Sequence, residues 1–201
     1  MKSIYRQFRR PTGVLGAIVG RVMARRNRVR GEWVVSLLDL APGERVLEVG
    51  FGPGVDAERA LARVGPAGSL LGVDASTVMV HQAAHRNAAA VKGGRAAFLE
   101  GDIDAQLPVG DGEYDAAFAI NNAQFWSSLD HGFEEMARAL KPGGRLVVAI
   151  QPRNPGASAA DSERWAERLA EAARAAGLRD VSAELGPTAP PVAAVRARRA
   201  A

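Results

Sequence analysis

Apolar positions over the first forty residues recur at helical spacing. Pro11-Thr12-Gly13 interrupts the opening segment, and Thr12 is a fair helix N-cap. After it, Val14, Leu15, Ile18, Val19, Val22 and Met23 fall on one helical face. Arginines gather toward the end of that run, where cations suit the negative end of the helix dipole. A second helix is expected through Trp33, Val34, Leu37, Leu38 and Leu40, closed by Pro42-Gly43. Beyond Gly43 short apolar runs alternate with helical ones. Strands are predicted over 45–50, 69–74, 96–100, 114–120 and 145–151, and helices over 54–63, 77–91, 129–140 and about 161–176. Two last strands fall near 181–185 and 192–198, after Gly177 caps the final helix.

That alternation predicts an α/β fold: right-handed crossovers and a mostly parallel sheet covered on both faces. Ligands of such sheets bind beyond the carboxyl ends of the strands. The residues just after each strand are therefore the candidates for function. The chain divides into a basic helical cap, 1–40, and an α/β domain, 41–201, with no internal repeat.

Composition narrows the classes. With 47% hydrophobic and 24% charged residues in 201, the balance is globular rather than disordered. No apolar run approaches the roughly 20 residues that cross a bilayer. No compact apolar stretch with a small-residue cleavage site follows the basic N-terminus, so the expected compartment is the cytoplasm. The absence of cysteine excludes disulfides and thiolate metal sites. The net charge of +4 is unevenly placed: no acid precedes Glu32, while Arg6, Arg9, Arg10, Arg21, Arg25, Arg26, Arg28 and Arg30 crowd the start. Such an arm attracts nucleic acid, anionic lipid or an acidic substrate, so peripheral contact with an anionic membrane is one expectation.

The first predicted strand runs into Glu48-Val49-Gly50-Phe51-Gly52-Pro53-Gly54. Alternate glycines between strand and helix let the backbone turn sharply and approach a ligand closely. The dinucleotide fingerprint would need glycine where Val55 stands, and the Gly-Lys-Ser/Thr ending of a triphosphate loop is absent. The loop therefore suits a ligand without phosphate. The second strand ends at Asp74, where a carboxylate can accept ribose hydroxyls. The third leads into Gly101-Asp102-Ile103, with Asp102 placed to accept an adenine amino group and Ile103 to pack on the ring. Three successive strand ends describe one adenosine-shaped ligand.

The run Val46-Leu47-Glu48-Val49-Gly50-Phe51-Gly52-Pro53-Gly54 resembles the signature of class I S-adenosylmethionine-dependent methyltransferases. Leu71-Gly72-Val73-Asp74, Gly101-Asp102, Leu107-Pro108 before Tyr114-Asp115-Ala116, and Leu140-Lys141-Pro142-Gly143-Gly144 follow in that family's order. The resemblance implies a Rossmann-like, seven-stranded, mostly parallel sheet with an antiparallel last strand, helices on both faces and an N-terminal helical cap. It implies S-adenosyl-L-methionine as cofactor. Gly50, Gly52 and Gly54 would line its methionine part, and Glu48 would sit near its amino group or hold the loop. Asp74 would bind the ribose, Ala75 and Met79 would lie near the adenine, and Asp102 and Ile103 would hold its edge. Asn121 would face the reactive end. The acceptor pocket would draw on Asn122, Gln124 and Trp126, with Tyr5 reaching in from a lid formed by the N-terminal helices.

Each residue also has a plain structural reading. The glycines can make a tight turn, and Asp74 can cap the next helix, although Ser76 and Thr77 stand closer to that job. His81 and His85 lie four apart on a helix without an evident third ligand, and His131 reads as a surface position. Many small-molecule relatives carry a histidine about where Gln124 stands, and Gln124 cannot act as a base. No catalytic residue is assigned, and no metal. The Asn/Asp-Pro-Pro-Tyr/Phe pattern of amino-group DNA methylases is absent, so DNA is not an expected partner. Without cysteine the chain cannot be an arsenite-type enzyme that relies on thiols.

The leading expectation is therefore methyl transfer to oxygen or nitrogen of a small molecule. The alternatives are a phospholipid methyltransferase using the basic N-terminal helix, and a non-catalytic module that binds RNA or a protein partner.

Overall fold

A computed structural model describes residues 28–201. The helix expected at 14–23 and Tyr5 lie outside the described residues. The described chain runs α1 (Arg28–Leu37), β1 (Arg45–Val49), α2 (Val55–Val64), β2 (Ser69–Asp74), α3 (Thr77–Arg86), α4 (Ala88–Lys92) and β3 (Ala96–Glu100). It continues with β4 (Tyr114–Ile120), a 3₁₀ turn (Ala123–Phe125), α5 (Leu129–Ala139), β5 (Leu140–Ile150), α6 (Ala159–Ala175), β6 (Arg179–Leu185) and β7 (Ala193–Arg198). The seven strands form one sheet in the order β3-β2-β1-β4-β5-β7-β6. Strands β1 to β5 pair in parallel, and β7 pairs antiparallel with both β5 and β6. The predicted Rossmann-like sheet with its antiparallel last strand is the sheet observed.

Alternation along the central strands divides the core into two layers. Leu47, Ala117, Leu146 and Val148 face α5 and α6, where Phe133, Met136 and Leu169 are fully buried. Val46, Phe118, Val147 and Ala194 face the other way, against Val34, Val35 and Leu38 of α1 and Ala57, Ala60 and Val64 of α2. Burying side chains of this size contributes about 1.5–3 kcal/mol each. The sheet is thus rigid where its carboxyl ends must hold a site.

Three element ends differ from the sequence reading. The second predicted helix stops at Leu37 rather than at Pro42-Gly43. The helix expected over 77–91 breaks at Asn87, whose Nδ2 donates to the carbonyls of Gly54 and Ala83, both at 3.0 Å. β5 begins at Leu140, ahead of the Pro142-Gly143-Gly144 signal, because Leu140 pairs with Tyr114 before a register shift. The Gly143 N–H then donates to Arg199 O and the Arg199 N–H to Gly144 O, so this turn is stitched to the end of β7.

Candidate functional site

The loop after β1 is held in one shape by four backbone donors and acceptors. Gly50 N–H donates to Val73 O at 2.7 Å, Gly52 N–H to the Asp74 carboxylate at 2.9 Å, and Gly54 N–H to Phe51 O at 3.1 Å. Asn87 holds the Gly54 carbonyl from the far side. Gly50, Gly52 and Gly54 have φ of 72°, 53° and 75°, the left-handed region that side chains resist. Their surroundings differ. A Cβ at Gly50 would fall 2.1 Å from the Asn122 side chain and one at Gly54 2.7 Å from Ala83, whereas a Cβ at Gly52 would point into open space. Only Gly52 leaves room for a ligand where its own side chain would have been.

Asp74 is 8% exposed, and both its oxygens are engaged: Oδ2 by Gly52 N–H and Oδ1 by Ser76 N–H, each at 2.9 Å. Ser76, not Asp74, caps α3, accepting the Met79 N–H. Burial pushes the Asp74 carboxyl up to about 6 against the pull of those two N–H groups, and Asp102 nearby raises it further. Each carboxylate oxygen keeps a second lone pair for another donor. Asp102 accepts the Asp104 N–H in the loop after β3, Ile103 packs into the core, and Met79 is 2% exposed beneath this edge. Ala75 lies between Asp74 and the cap.

The segment after β4 forms the opposite wall. Asn121 has φ of 52°; its side-chain oxygen accepts the Gln151 N–H at 2.7 Å, which joins the ends of β4 and β5. The Asn122 side chain lies against Gly50 and accepts the Trp126 indole N–H. Trp126 is 9% exposed and meets Phe133 edge-on at 6.2 Å between ring centres. Gln124 donates to Asn121 O at 3.0 Å, while its Oε1 is buried with no hydrogen-bond partner. His131, expected at the surface, is instead partly buried, with its Nε2 shielded and without a partner. Asp104 accepts the Ser127 N–H at 2.8 Å and Glu135 the Leu107 N–H at 2.8 Å, so the loops after β3 and β4 are fixed to each other.

The structure adds a group that sequence reasoning missed. Arg30 is 3% exposed on α1, beside Asp56 and Arg59 of α2. Gly31 allows the approach, since a Cβ there would fall 2.0 Å from Asp56 Oδ1. Arg59 is bonded to Asp56 at 2.6 Å. Burial, then the charge of Arg153, lowers the Arg30 guanidinium to about 10, with Asp56 opposing. Glu48 is 2% exposed; burial, with Asp56 and Asp74 close by, pushes its carboxyl well above the usual range, and Arg59 opposes. A usable signal existed: Arg30, Val34 and Leu38 repeat at i, i+4, i+8, which puts the arginine on the apolar face of its helix.

Of the residues predicted at the strand ends, Asp74 reaches the glycine loop at Gly52 and Asn122 lies against it at Gly50; Tyr5 is not among the residues described. A cavity of about 220 Å³ lies elsewhere, near the amino end of β5, lined by Leu37, Arg145, Asp180 and Arg196. It touches none of these groups. Among the described residues no cluster of histidine, aspartate and glutamate could hold a metal ion, and no helix is long and apolar enough to cross a membrane.

Comparison with known proteins gives the following. The family model described as a methyltransferase domain matches residues 46–144. An uncharacterized methyltransferase of Bacillus subtilis, YdaC, is 32% identical over 82% of this chain and 87% of its own length. A ubiquinone/menaquinone biosynthesis C-methyltransferase, UbiE of Ectopseudomonas mendocina, is 29% identical over 64% of this chain and 51% of its own. Among solved structures, a SAM dependent methyltransferase from Aquifex aeolicus superposes with a TM-score of 0.71, covering 87% of this chain and 92% of that one at 22% identity.

Proposed function

Since this chain belongs to the class I S-adenosylmethionine-dependent methyltransferases, we propose that it methylates a nitrogen or oxygen atom of a small-molecule acceptor. The observation that carries the choice of atom is Gln124 Oε1, a buried hydrogen-bond acceptor without a partner in the loop beyond β4. Such an oxygen matches the N–H or O–H of an incoming amine, amide or hydroxyl, and a bare carbon nucleophile would leave it unsatisfied.

The residues present fit the cofactor. Open space at Gly52, two unspent lone pairs on Asp74 and an unpartnered Glu48 Oε2 suit a nucleoside with no phosphate and with an amine at one end. In this reading Asp74 takes the ribose hydroxyls, Ala75, Met79, Asp102 and Ile103 hold the adenine, and the glycine loop carries the methionine part. S-adenosylmethionine supplies a methyl group already activated on a sulfonium. What remains for the chain is alignment. Holding two reactants at near-attack geometry contributes about 7–11 kcal/mol in well-oriented systems. Asn122 and Gln124 set the acceptor over the first glycine, and Trp126 keeps Asn122 in place.

The test is an acceptor screen with a methyl-¹³C cofactor, reading where the label lands by NMR. Label on nitrogen or oxygen, with kcat/KM reduced at least tenfold in Gln124→Met, supports the assignment. A new carbon–carbon bond in the product overturns it.

A further inference from the structure

Three arginines stand in one row across the antiparallel part of the sheet. Arg145 of β5 lies directly opposite Arg198 of β7, and Arg198 lies opposite Arg179 of β6. Like charges directly opposite each other on neighbouring strands destabilise a sheet. Arg196 adds another positive charge along β7, between Val147 and Ser182. The strands assemble this repulsion and do not themselves relieve it.

The same side chains surround the cavity of about 220 Å³. Arg145, Arg196 and Arg198 line it, and Asp180 is the one acid in the lining. Alternation along β7 puts Arg196 on the face that Val147 shares, and Arg198 follows on the same face. Leu37, the last residue of α1, forms one wall. A register shift in β6, where Asp180 has φ of 52°, brings that acid to the rim, and such bulges re-aim side chains.

Nearby acids leave most of the guanidinium donors unspent. Glu44 holds one nitrogen of Arg145, while the Arg145 Nε is buried without a hydrogen-bond partner. Arg196 meets Glu184 at 3.4 Å, and Arg198 meets Asp180 only at 3.9 Å. Exposed pairs at such distances contribute little. Arg198 gives one further N–H to Gly143 O at 3.2 Å. Each guanidinium carries five donors in a planar fork, so several remain for a ligand.

Charge and shape select the ligand. A monocarboxylate would occupy one fork and leave the others repelling. A bilayer surface is flat and suits arginines that project rather than arginines that line a hollow. Drug-sized ligands fill about 300–1,000 Å³, so this smaller cavity takes a compact group. We propose that it binds a diphosphate or comparably compact polyanion of a soluble ligand, held by Arg145, Arg196 and Arg198. Oxygens on two phosphorus centres reach more than one fork, and their charge offsets the cross-strand repulsion. Along β5, Arg145 lies about 20 Å from Gln151, where the backbone N–H holds Asn121. The anion site is therefore distinct from the glycine-loop site and stands independently of the methyl-transfer reading.

Calorimetric titration of the full chain with pyrophosphate tests this, with ionic strength held constant by sodium chloride. The wild-type protein is expected to bind with a submillimolar Kd and to melt higher when pyrophosphate is present. Arg196→Gln and Arg198→Gln, both at exposed side chains, should each weaken binding about tenfold. Arg168→Gln on α6, outside the cavity, should leave it unchanged. Without anion, Arg198→Gln should melt no lower than wild type, because it removes a like-charge pair. S-adenosylhomocysteine affinity should be the same in every variant. No binding of pyrophosphate beyond the effect of matched chloride overturns the site. Undiminished binding in both glutamine variants overturns it as well, by placing the anion on other arginines. Phosphatidylglycerol vesicles captured through Arg196 and Arg198, with pyrophosphate silent, would overturn the compact polyanion in favour of a lipid surface.

Discussion

The Asp74 carboxylate accepts the Gly52 backbone N–H at 2.9 Å, so the residue that ends β2 also sets the curve of the loop that ends β1. Its other oxygen holds the Ser76 N–H at the start of α3. One side chain thus shapes two walls of the site before any ligand arrives. Asp74→Ala should leave two N–H groups without their acceptor and cost about 1–3 kcal/mol for each that stays dry. Asp74→Asn keeps one acceptor oxygen and relieves the buried charge but turns an NH2 toward the other N–H, so it should lose less stability than Asp74→Ala without matching wild type. S-adenosylhomocysteine binding should fall at least tenfold in both. Wild-type affinity in Asp74→Asn would remove Asp74 from the ribose site.

Asp74 also predicts a pH dependence, because its folded carboxyl titrates near 6 against an ordinary 3.8. Below pH about 4 the group is protonated whether folded or not. Between about 4 and 6 the native state keeps a proton that the unfolded chain has released, so stability falls as pH rises. The cost levels off above 6 at something on the order of 3 kcal/mol. Ligand binding runs in the opposite direction, since ribose hydroxyls donate to the ionised form. Affinity for S-adenosylhomocysteine should rise from pH 5 to 7 by a factor approaching ten and then plateau. Calorimetry at several pH values checks this, with Asp74→Asn expected to lose the step near 6, while any rise from the buried Glu48 carboxyl remains. An equally steep profile in that variant would trace the titration to another group.

Gly50 and Gly52 share a left-handed backbone but predict different phenotypes. Alanine at either position carries about 1–2 kcal/mol of conformational strain. At Gly50 the new methyl would also strike the Asn122 side chain, so Gly50→Ala should lose more stability and displace that residue. At Gly52 the methyl enters open space, so Gly52→Ala should fold with only the strain cost and lose cofactor affinity disproportionately. Thermal melts beside binding isotherms separate the two. Loss of stability without loss of binding in Gly52→Ala would mean that the open space is not where the ligand lies.

Much of this site could be read from sequence because its parts are local. A Val-Leu run followed by alternate glycines is a strand entering a tight turn, and an acid at the end of the next strand needs no tertiary information to be noticed. The order of β1 to β5 follows from strand–helix alternation in the same way. What could not be read depends on contacts distant in sequence. Asn87 breaks a helix of good formers because its amide reaches Gly54, thirty-three residues away. The strand at Leu140 starts early because Tyr114 and Arg199 supply partners for it and for the glycine turn behind it. Arg30 was hidden by composition: one arginine in a basic run resembles a solvated arm, and only its spacing with Val34 and Leu38 marks it as buried. Burial of a charge is decided by the facing surface, here Asp56 and Arg59 of α2, and no pattern within α1 encodes that surface.

Trp126 provides the sharpest distinction between packing and positioning in the acceptor wall. Its ring fills the space against Gly132 and Phe133, and its indole N–H is donated to Asn122, the side chain that lies on Gly50. Trp126→Ala would remove both contributions and cost about 3–5 kcal/mol of stability, so it cannot separate them. Trp126→Phe retains an aromatic ring for Phe133 and deletes the donor alone. Asn122 then loses the bond that fixes its rotamer, while Asp74 and the Gly52 turn are untouched. The expected result is a small loss of stability, near-wild-type S-adenosylhomocysteine affinity and kcat/KM reduced about 10-fold or more through misalignment of the acceptor. Asn122→Ala should reproduce the kinetic loss, and combining it with Trp126→Phe should add little, because both substitutions break one interaction. Fully additive losses would show that Trp126 acts on the acceptor independently of Asn122. Unchanged kinetics in both single variants would move the acceptor pocket away from this loop.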